Sequence, residues 1–232
     1  MNIIITGASK GIGKAIAEQF AVEGNTLLVC ARNEMHLYKM MEELLLKYPQ
    51  CNIKAKPADI SVKRTAIEFA EWCAGFGTPD VLINNAGLFF AGNIYNEADG
   101  VLEKTMEVNL YSAYYVTRTV LPAMMKVKAG HIFNLCSIAS LQAYENGGSY
   151  SISKFALLGF SKNLREEMKP FNIKVTSVIP GAVYTDSWSG SNVDEKRIME
   201  AADVAKMIYT ASLLSPQACV EEIIMRPVLG DL

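Results

Sequence analysis

Three polar side chains in the second half of the chain have the types and spacing needed for carbonyl chemistry. Tyr150 and Lys154 are four residues apart, and Ser137 lies thirteen residues before Tyr150. In a helix over residues 148–168, positions i and i+4 share a face, so the phenol and the ammonium would point into the same space. A nearby cation lowers the pKa of a tyrosine from about 10 toward neutrality, which suits a proton donor or acceptor. Ser137 could hold a carbonyl oxygen while Tyr150 protonates it, so these residues predict carbonyl or alcohol chemistry.

A glycine-rich turn near the N-terminus has the placement of a phosphate-binding turn. Residues 6–13, TGASKGIG, follow the first predicted strand and open a helix. Glycines let the backbone approach a pyrophosphate, and a helix N-terminus supplies N–H groups and partial positive charge. The spacing differs from G-x-G-x-x-G, and a Walker A loop fails because Ala8 and Ala15 stand at its glycine and hydroxyl positions. The turn alone could also be purely structural.

Composition indicates one large α/β domain. The chain has 232 residues, half of them hydrophobic, and a formal net charge of -2, which gives no basic surface for nucleic acid or anionic lipid. No apolar stretch approaches the length of a membrane span, and the N-terminus lacks a basic leader, so we expect a cytoplasmic protein. Five scattered cysteines without C-x-x-C spacing argue against disulfides or a zinc site. Cys136 lacks a nearby histidine that could activate it as a nucleophile, so it is predicted to be a core thiol. No metal site is predicted.

Short β-branched runs alternate with longer helical patterns along the chain. Several strands are nearly unbroken apolar runs, which favours a doubly wound parallel sheet with helices on both faces in a single domain, residues 1–232. Gly24-Asn25 and Pro170 are expected to end helices. Residues 182–195 lack any period and are predicted to form a mobile, lid-like loop. The predicted strands are 2–6, 26–30, 52–56, 81–84, 131–137, 174–179 and 222–225.

Six motifs, which follow one another in the order found in the family, resemble those of the classical short-chain dehydrogenases/reductases. They are Thr6-Gly7-x-x-x-Gly11-Ile12-Gly13, Asn84-Asn85-Ala86-Gly87, Asn109, Ser137, Tyr150-x-x-x-Lys154 and Pro180-Gly181. The resemblance covers nearly the whole chain. It implies a Rossmann-type fold that binds a nicotinamide dinucleotide, with a cofactor half of about residues 1–137 and a catalytic and substrate part of about 138–232.

The resemblance implies a catalytic tetrad of Asn109, Ser137, Tyr150 and Lys154. In that scheme Tyr150 is the acid/base, Lys154 lowers its pKa and holds the nicotinamide ribose, Ser137 positions the carbonyl, and Asn109 anchors a proton-relay water. Each residue also has a plainer interpretation. Asn109 could be a polar helix residue, Ser137 a strand-end hydroxyl and Lys154 a solvated helix side chain.

The resemblance also implies a set of cofactor-binding residues. Asn84 is expected to be structural, and Asp59 resembles the family's adenine-binding aspartate, although it could instead cap a helix near Ser61. The implied set is Gly7, Ser9, Lys10, Gly11, Ile12, Gly13, Arg32, Asp59, Ile60, Asn85, Ala86, Gly87, Tyr150, Lys154, Pro180, Gly181, Val183 and Thr185.

Charge at the end of the second strand predicts which dinucleotide binds. An NAD site usually places Asp or Glu there for the ribose 2′-OH, whereas a 2′-phosphate requires cations. Here that strand ends in Cys30-Ala31-Arg32-Asn33, and Lys10 lies in the glycine turn. The pattern is similar to that of NADP-preferring members of the family, so NADP(H) is the expected cofactor. Alternatively, Arg32 is only a solvated residue at a helix start.

With NADPH as reductant, the expected reaction is reduction of a ketone, aldehyde or ketoacyl group to an alcohol. Residues 88–96, 139–149 and 182–195 are expected to bound an apolar pocket for a small neutral molecule. Their aromatic residues could instead belong to the core or to a subunit interface. The aromatic residues are Phe89, Phe90, Tyr95, Tyr144, Tyr184 and Trp188.

Three alternatives remain open. A 3-oxoacyl-carrier-protein reductase commonly ends in a glycine-rich stretch, from which residues 221–232 depart. A non-catalytic NADP-binding sensor could use the same fold. An epimerase or dehydratase would need a larger C-terminal domain than the residues after Pro180 allow. The family resemblance further implies a homodimer or homotetramer built on two long helices, residues 101–126 and 150–168.

Overall fold

The protein is described by a computed structural model covering residues 1–21, 24–185 and 193–231. Its strands are β1 Asn2–Thr6, β2 Thr26–Ala31, β3 Asn52–Pro57, β4 Val81–Asn84, β5 Gly130–Leu135, β6 Ile173–Pro180, β7 Val183–Tyr184, β8 Met199–Glu200 and β9 Glu222–Met225. Seven of them form one sheet in the order β3-β2-β1-β4-β5-β6-β9, in which every neighbouring pair is parallel. The other two, β7 and β8, form a separate pair that joins Val183 to Met199.

Helices cover both faces of the sheet. They are α1 Gly11–Phe20, α2 Glu34–Lys47, α3 Lys63–Ala74, α4 Val101–Met106, α5 Ser112–Val127, α6 Gly148–Met168 and α7 Ala201–Ser212. Ile3 and Ile5 of β1 pack in the cluster that contains α1, α2 and α7, whereas Ile4 packs in the cluster that contains α3, α5 and α6. Because successive strand side chains point to opposite faces, one apolar strand contributes to both cores. The prediction of a doubly wound parallel sheet is confirmed.

Several element boundaries differ from the sequence prediction. β2, β3 and β6 differ by only one residue at one or both ends, and three differences are larger. α1 ends at Phe20, before Gly24-Asn25. β5 ends at Leu135 rather than at residue 137, and Ser137 instead caps a 3-10 turn, Ile138–Ser140, with its side chain accepting from the Ala139 N–H. A helix predicted over 101–126 is interrupted by a π turn, Glu107–Tyr111.

The π turn is stabilised at its C-terminal end. The Ser112 N–H donates to the Glu107 carbonyl, five residues back, and the Ser112 hydroxyl donates to the Val108 carbonyl at 2.6 Å. One extra residue is therefore accommodated within the helix, as π turns at functional sites commonly do. The inserted turn carries Asn109.

Two features are absent from residues 1–21, 24–185 and 193–231. Within them, no helix combines the length and the apolar character that crossing a bilayer requires. The same residues contain no cluster of three His, Cys, Asp or Glu that could hold a metal ion. All five cysteines are free thiols, and four of them are buried.

Candidate active site

The predicted site residues meet at the carboxyl edge of the sheet. β2 and β3 lie on one side of β1, whereas β4, β5 and β6 lie on the other, so the strand order reverses between β1 and β4. Open α/β sheets bind ligands in the crevice at such a reversal. The glycine turn follows β1, and the Asn-Asn-Ala-Gly segment follows β4. Ser137 follows β5, and Gly181 follows β6. The topology thus brings together four motifs that are far apart in sequence.

Close packing explains the glycines of the first turn. Gly7 has a φ of +66°, and a Cβ there would lie 2.9 Å from the Ala86 Cα. A Cβ on Gly13 would lie 2.2 Å from the Gly7 carbonyl oxygen. Only glycine allows the turn to fold this tightly against itself and against the segment after β4. At the start of α1, the N-cap residue is Lys10, whose side chain has no acceptor for the first N–H groups of the helix. These groups therefore suit an anion.

The segment after β4 is fastened to the same turn. The Thr6 hydroxyl accepts from the backbone N–H groups of Asn85 and Ala86 at 3.0 and 3.1 Å. The Asn85 amide donates back to the carbonyls of Thr6 and Gly7 at 2.9 and 3.0 Å. Asn85 therefore holds the turn through its side chain. Asn84 is buried and donates to Thr117 and Asn134, as expected for a structural residue.

Lys154 lies buried directly below Tyr150. Its side chain is 5% exposed, and its Nζ donates to the Leu135 carbonyl at 2.6 Å. The same Nζ is 5.7 Å from the centre of the Tyr150 ring and would be 3.6 Å from a Cβ on Gly87. The two side chains share one face of α6, as their spacing predicted. The interpretation of Lys154 as a solvated helix residue is therefore wrong.

Asn109 joins residues 88–97, which we call the wall of the site, to α6. Its Oδ1 accepts from the Leu88 N–H at 2.8 Å, and its Nδ2 donates to the Leu88 carbonyl and to the Ser153 hydroxyl at 3.0 and 2.9 Å. At 1% exposure it is fully enclosed. Phe89, next along that wall, meets the Tyr150 ring edge-on at 5.0 Å. Ser137 is buried near the end of β5.

Asp59 occupies a polar turn after β3. Its carboxylate accepts from the Ser61 N–H at 3.1 Å and from the Ser61 hydroxyl at 2.7 Å. Burial alone would raise the pKa of Asp59, but these hydrogen bonds and the charges of Lys104 and Arg32 together lower it. α3 begins at Lys63 with Val62 as its N-cap, so the interpretation of Asp59 as a helix cap is wrong.

A family model described as short chain dehydrogenase matches residues 1–196. The chain belongs to this short-chain dehydrogenase family. The predicted family and oxidoreductase class are thereby confirmed. The chain is 32% identical to sepiapterin reductase of Chlorobaculum tepidum over 241 residues, covering 99% of this chain and 97% of that protein.

Two solved structures of the family are similar along their whole length. A metagenomic short-chain oxidoreductase in complex with NADP is 27% identical with a TM-score of 0.86, covering 98% of this chain and 97% of that one. A β-ketoacyl-[ACP] reductase from Bacteroides thetaiotaomicron is 31% identical with a TM-score of 0.85, covering 98% and 96%.

The remaining residues predicted to bind the cofactor in this short-chain dehydrogenase are partly exposed and partly packed in the core. Arg32 is exposed just after β2, and Ser9 is half-buried in the turn. Ile60 and Val183 are buried in the core, and Ile12 packs against it. The Thr185 side chain lies over Gly11, where a Cβ would be 3.2 Å from its Cγ2. Pro180 ends β6, and the Gly181 N–H donates to the Met225 carbonyl at 2.8 Å.

The described aromatic residues of the segments predicted to bound the pocket are exposed. Phe89, Phe90, Tyr95, Tyr144 and Tyr184 are each between 41% and 85% exposed. Partial burial of its side chain and the neighbouring Tyr150 raise the pKa of Tyr144 to about 12. A cavity of about 430 Å³ opens beside Phe90. Trp188 and residues 186–192 of the predicted lid lie outside the described residues.

Sequence reasoning missed one polar residue of this region. Glu97 hydrogen-bonds to Ser149, the residue before Tyr150. The two are 52 residues apart, and Glu97 lies in an irregular segment without a motif. No local pattern signals such a contact.

Proposed function

We propose that this short-chain dehydrogenase is an NADPH-dependent carbonyl reductase in which Tyr150 is the proton donor. The observation that carries the proposal is the buried Lys154 ammonium, held by the Leu135 carbonyl directly below the Tyr150 ring. A positive charge fixed there favours the phenolate that remains after proton donation.

The residues present fit a dinucleotide phosphate. Gly7 and Gly13 let the turn fold tightly against itself and against residue 86, and the first turn of α1 offers N–H groups at that turn. The Asp59 turn would hold the adenine, and Thr185 would lie at the pyrophosphate over Gly11. When bound, the cofactor supplies the two electrons of the reduction.

Arg32 supports NADP(H) over NAD(H). It is exposed just after β2, where an NAD site would carry a carboxylate. A planar guanidinium can hold a 2′-phosphate through two parallel hydrogen bonds. The similar metagenomic oxidoreductase, solved with NADP, supports the same assignment.

Ser137, Tyr150 and Asn109 would have different roles at the substrate carbonyl. Ser137 would orient the carbonyl oxygen by donating a hydrogen bond, and Tyr150 would then protonate that oxygen. Asn109 already donates both amide hydrogens, to Leu88 and Ser153. Its side chain could therefore hold a relay water only as an acceptor, and its firmest role is to position residue 88 against α6.

The substrate proposed is a neutral ketone, aldehyde or ketoacyl group. The exposed aromatic side chains in the segments predicted to bound the pocket favour an apolar molecule without a strong charge. Similarity to a β-ketoacyl-[ACP] reductase keeps ketoacyl thioesters among the compounds to test. A cytoplasmic location, a homodimer or homotetramer, and the division into cofactor and catalytic parts remain predictions.

The decisive experiment follows NADPH oxidation with a panel of aldehydes, ketones, diketones and ketoacyl thioesters. We expect Tyr150→Phe to lower turnover about 10²- to 10⁴-fold, because a general acid contributes that much. NADPH binding should persist, and Tyr48→Phe, at the end of α2, serves as the matched control. Full turnover by Tyr150→Phe would contradict the mechanism. Tight NADPH binding without turnover of any compound would favour the sensor alternative.

A further inference from the structure

Glu97, which does not belong to α6, caps the N-terminus of this helix, which carries Tyr150. The N-cap residue of α6 is Gly147, which has no side chain to satisfy the first N–H groups. The Glu97 Oε1 accepts from the Ser149 N–H at 2.9 Å, and its Oε2 accepts from the Ser149 hydroxyl. Ser149 is 1% exposed and immediately precedes Tyr150. A carboxylate at a helix N-terminus also interacts favourably with the helix dipole.

Glycines on both sides leave just enough room for this carboxylate. A Cβ on Gly148 would lie 2.2 Å from the Glu97 Oε1 and 2.6 Å from the Gly92 carbonyl oxygen. A Cβ on Gly92 would lie 2.8 Å from the Glu97 Cγ. Any side chain at either glycine would displace Glu97. The contact is therefore built into the packing of two segments rather than made by a freely moving surface residue.

A second set of hydrogen bonds joins the same two segments. The Gly92 N–H donates to the Asn146 carbonyl at 3.1 Å. The Asn93 side chain accepts from the Asn146 N–H at 3.0 Å and donates to its Oδ1 at 3.1 Å. Residues 88–97, which contribute Phe89 to the site, are thus tied to the start of α6 at two places. The wall of the site and the helix that carries Tyr150 form one unit.

We propose that Glu97 is a positioning residue for Tyr150. It fixes the first turn of α6 so that the phenol stays between Phe89 and the Lys154 ammonium, and it makes the wall and the helix move together. The proposal rests on the proposed function, in which Tyr150 is the proton donor. A small displacement of a catalytic group is costly, since about 1 Å can lower a rate roughly 100-fold.

The test compares Glu97→Ala and Glu97→Gln with the native protein and with Asp99→Asn, an exposed acid on the same segment. We calculate kcat per titrated NADPH-binding site. We expect Glu97→Ala to lower this value about 10- to 100-fold. Glu97→Gln should lie between Ala and native, because its carbonyl oxygen can still accept from the Ser149 N–H. NADPH affinity, measured by fluorescence titration, should stay within about twofold, and Asp99→Asn should match native.

The same variants in a Tyr150→Phe background separate this inference from the proposed function. If Glu97 acts through Tyr150, Glu97→Ala should cause no further loss of kcat once the phenol is gone. Full turnover by Tyr150→Phe alone would instead overturn the proposed function. The positioning role is overturned if kcat per binding site in both Glu97 variants stays within twofold of native. It is also overturned if kcat and NADPH affinity fall together, since that indicates general loss of structure.

Discussion

At the scale of single residues, Lys154 is a cationic side chain that lies buried in the protein. Its hydrogen-bond acceptor is a main-chain carbonyl, Leu135, which satisfies the ammonium without neutralising it. A buried cation needs such a partner, because an unpaired charge in the interior is very costly. The positive field of Lys154 is therefore not cancelled by its hydrogen-bond partner. A carboxylate partner would have cancelled most of that field.

Arg32 carries a prediction at the same scale. If it binds a 2′-phosphate, Arg32→Ala should lower kcat/KM for NADPH about 10- to 100-fold, the loss expected for a charge-assisted hydrogen bond of about 1.5–3 kcal/mol. The value for NADH should change by no more than about threefold. Arg64→Ala removes another exposed arginine, on α3, and should leave both values unchanged. An unchanged NADPH/NADH ratio in Arg32→Ala would contradict the assignment.

At the scale of elements, local patterns determined what could be predicted. β1, β4 and β9 lie at their predicted bounds, because short apolar runs flanked by polar residues define them. The shared face of Tyr150 and Lys154 followed from helical geometry alone. The π turn could not be predicted, because residues 107–111 have an ordinary helical pattern and the turn shifts hydrogen bonding by only one residue. The Glu97–Ser149 contact could not be predicted from the sequence either, because it depends on how two distant segments pack.

β5 contains a histidine whose protonation state is linked to folding. His131 is 4% exposed, stacks on Phe133 at 3.9 Å and shares a hydrogen bond with Thr176 at 2.7 Å. Burial and the charge of Lys174 lower the pKa of His131 from 6.5 to about 3. Between these values the unfolded chain binds a proton that the folded chain does not. The free energy of unfolding should therefore fall as pH drops from about 6.5 toward about 3, by up to about 1.4 kcal/mol per unit for this group.

Urea unfolding at pH 7.5, 6.0 and 5.0 measures that slope. We expect His131→Gln to reduce the loss of unfolding free energy between pH 6.0 and 5.0, whatever its effect at pH 7.5. His36→Gln is the matched control, because His36 is exposed on the first turn of α2 and should leave the slope unchanged. An identical pH dependence in His131→Gln and native protein would show that His131 does not contribute.

At the scale of the whole molecule, burial in the core, rather than distance from the site, protects four of the five thiols. The polar site residues gather at the carboxyl edge, whereas Cys30 and Cys73 lie inside the sheet–helix core. Burial raises the pKa of Cys30 to about 12 and that of Cys136 to about 11, and it also raises the pKa of Cys51 and Cys73. Because the thiolate is the reactive form, these four thiols should be inert in the folded protein.

Thiol titration with an aromatic disulfide reagent at pH 8 tests this arrangement. In the native protein we expect rapid reaction of one thiol, Cys219, which is only partly buried. Cys219→Ser should remove that phase, and denaturant should expose the remaining four. Slow reaction of the buried thiols without denaturant would then measure how often the core opens. Rapid reaction of a second thiol in folded Cys219→Ser would show that one of the four lies outside the closed core.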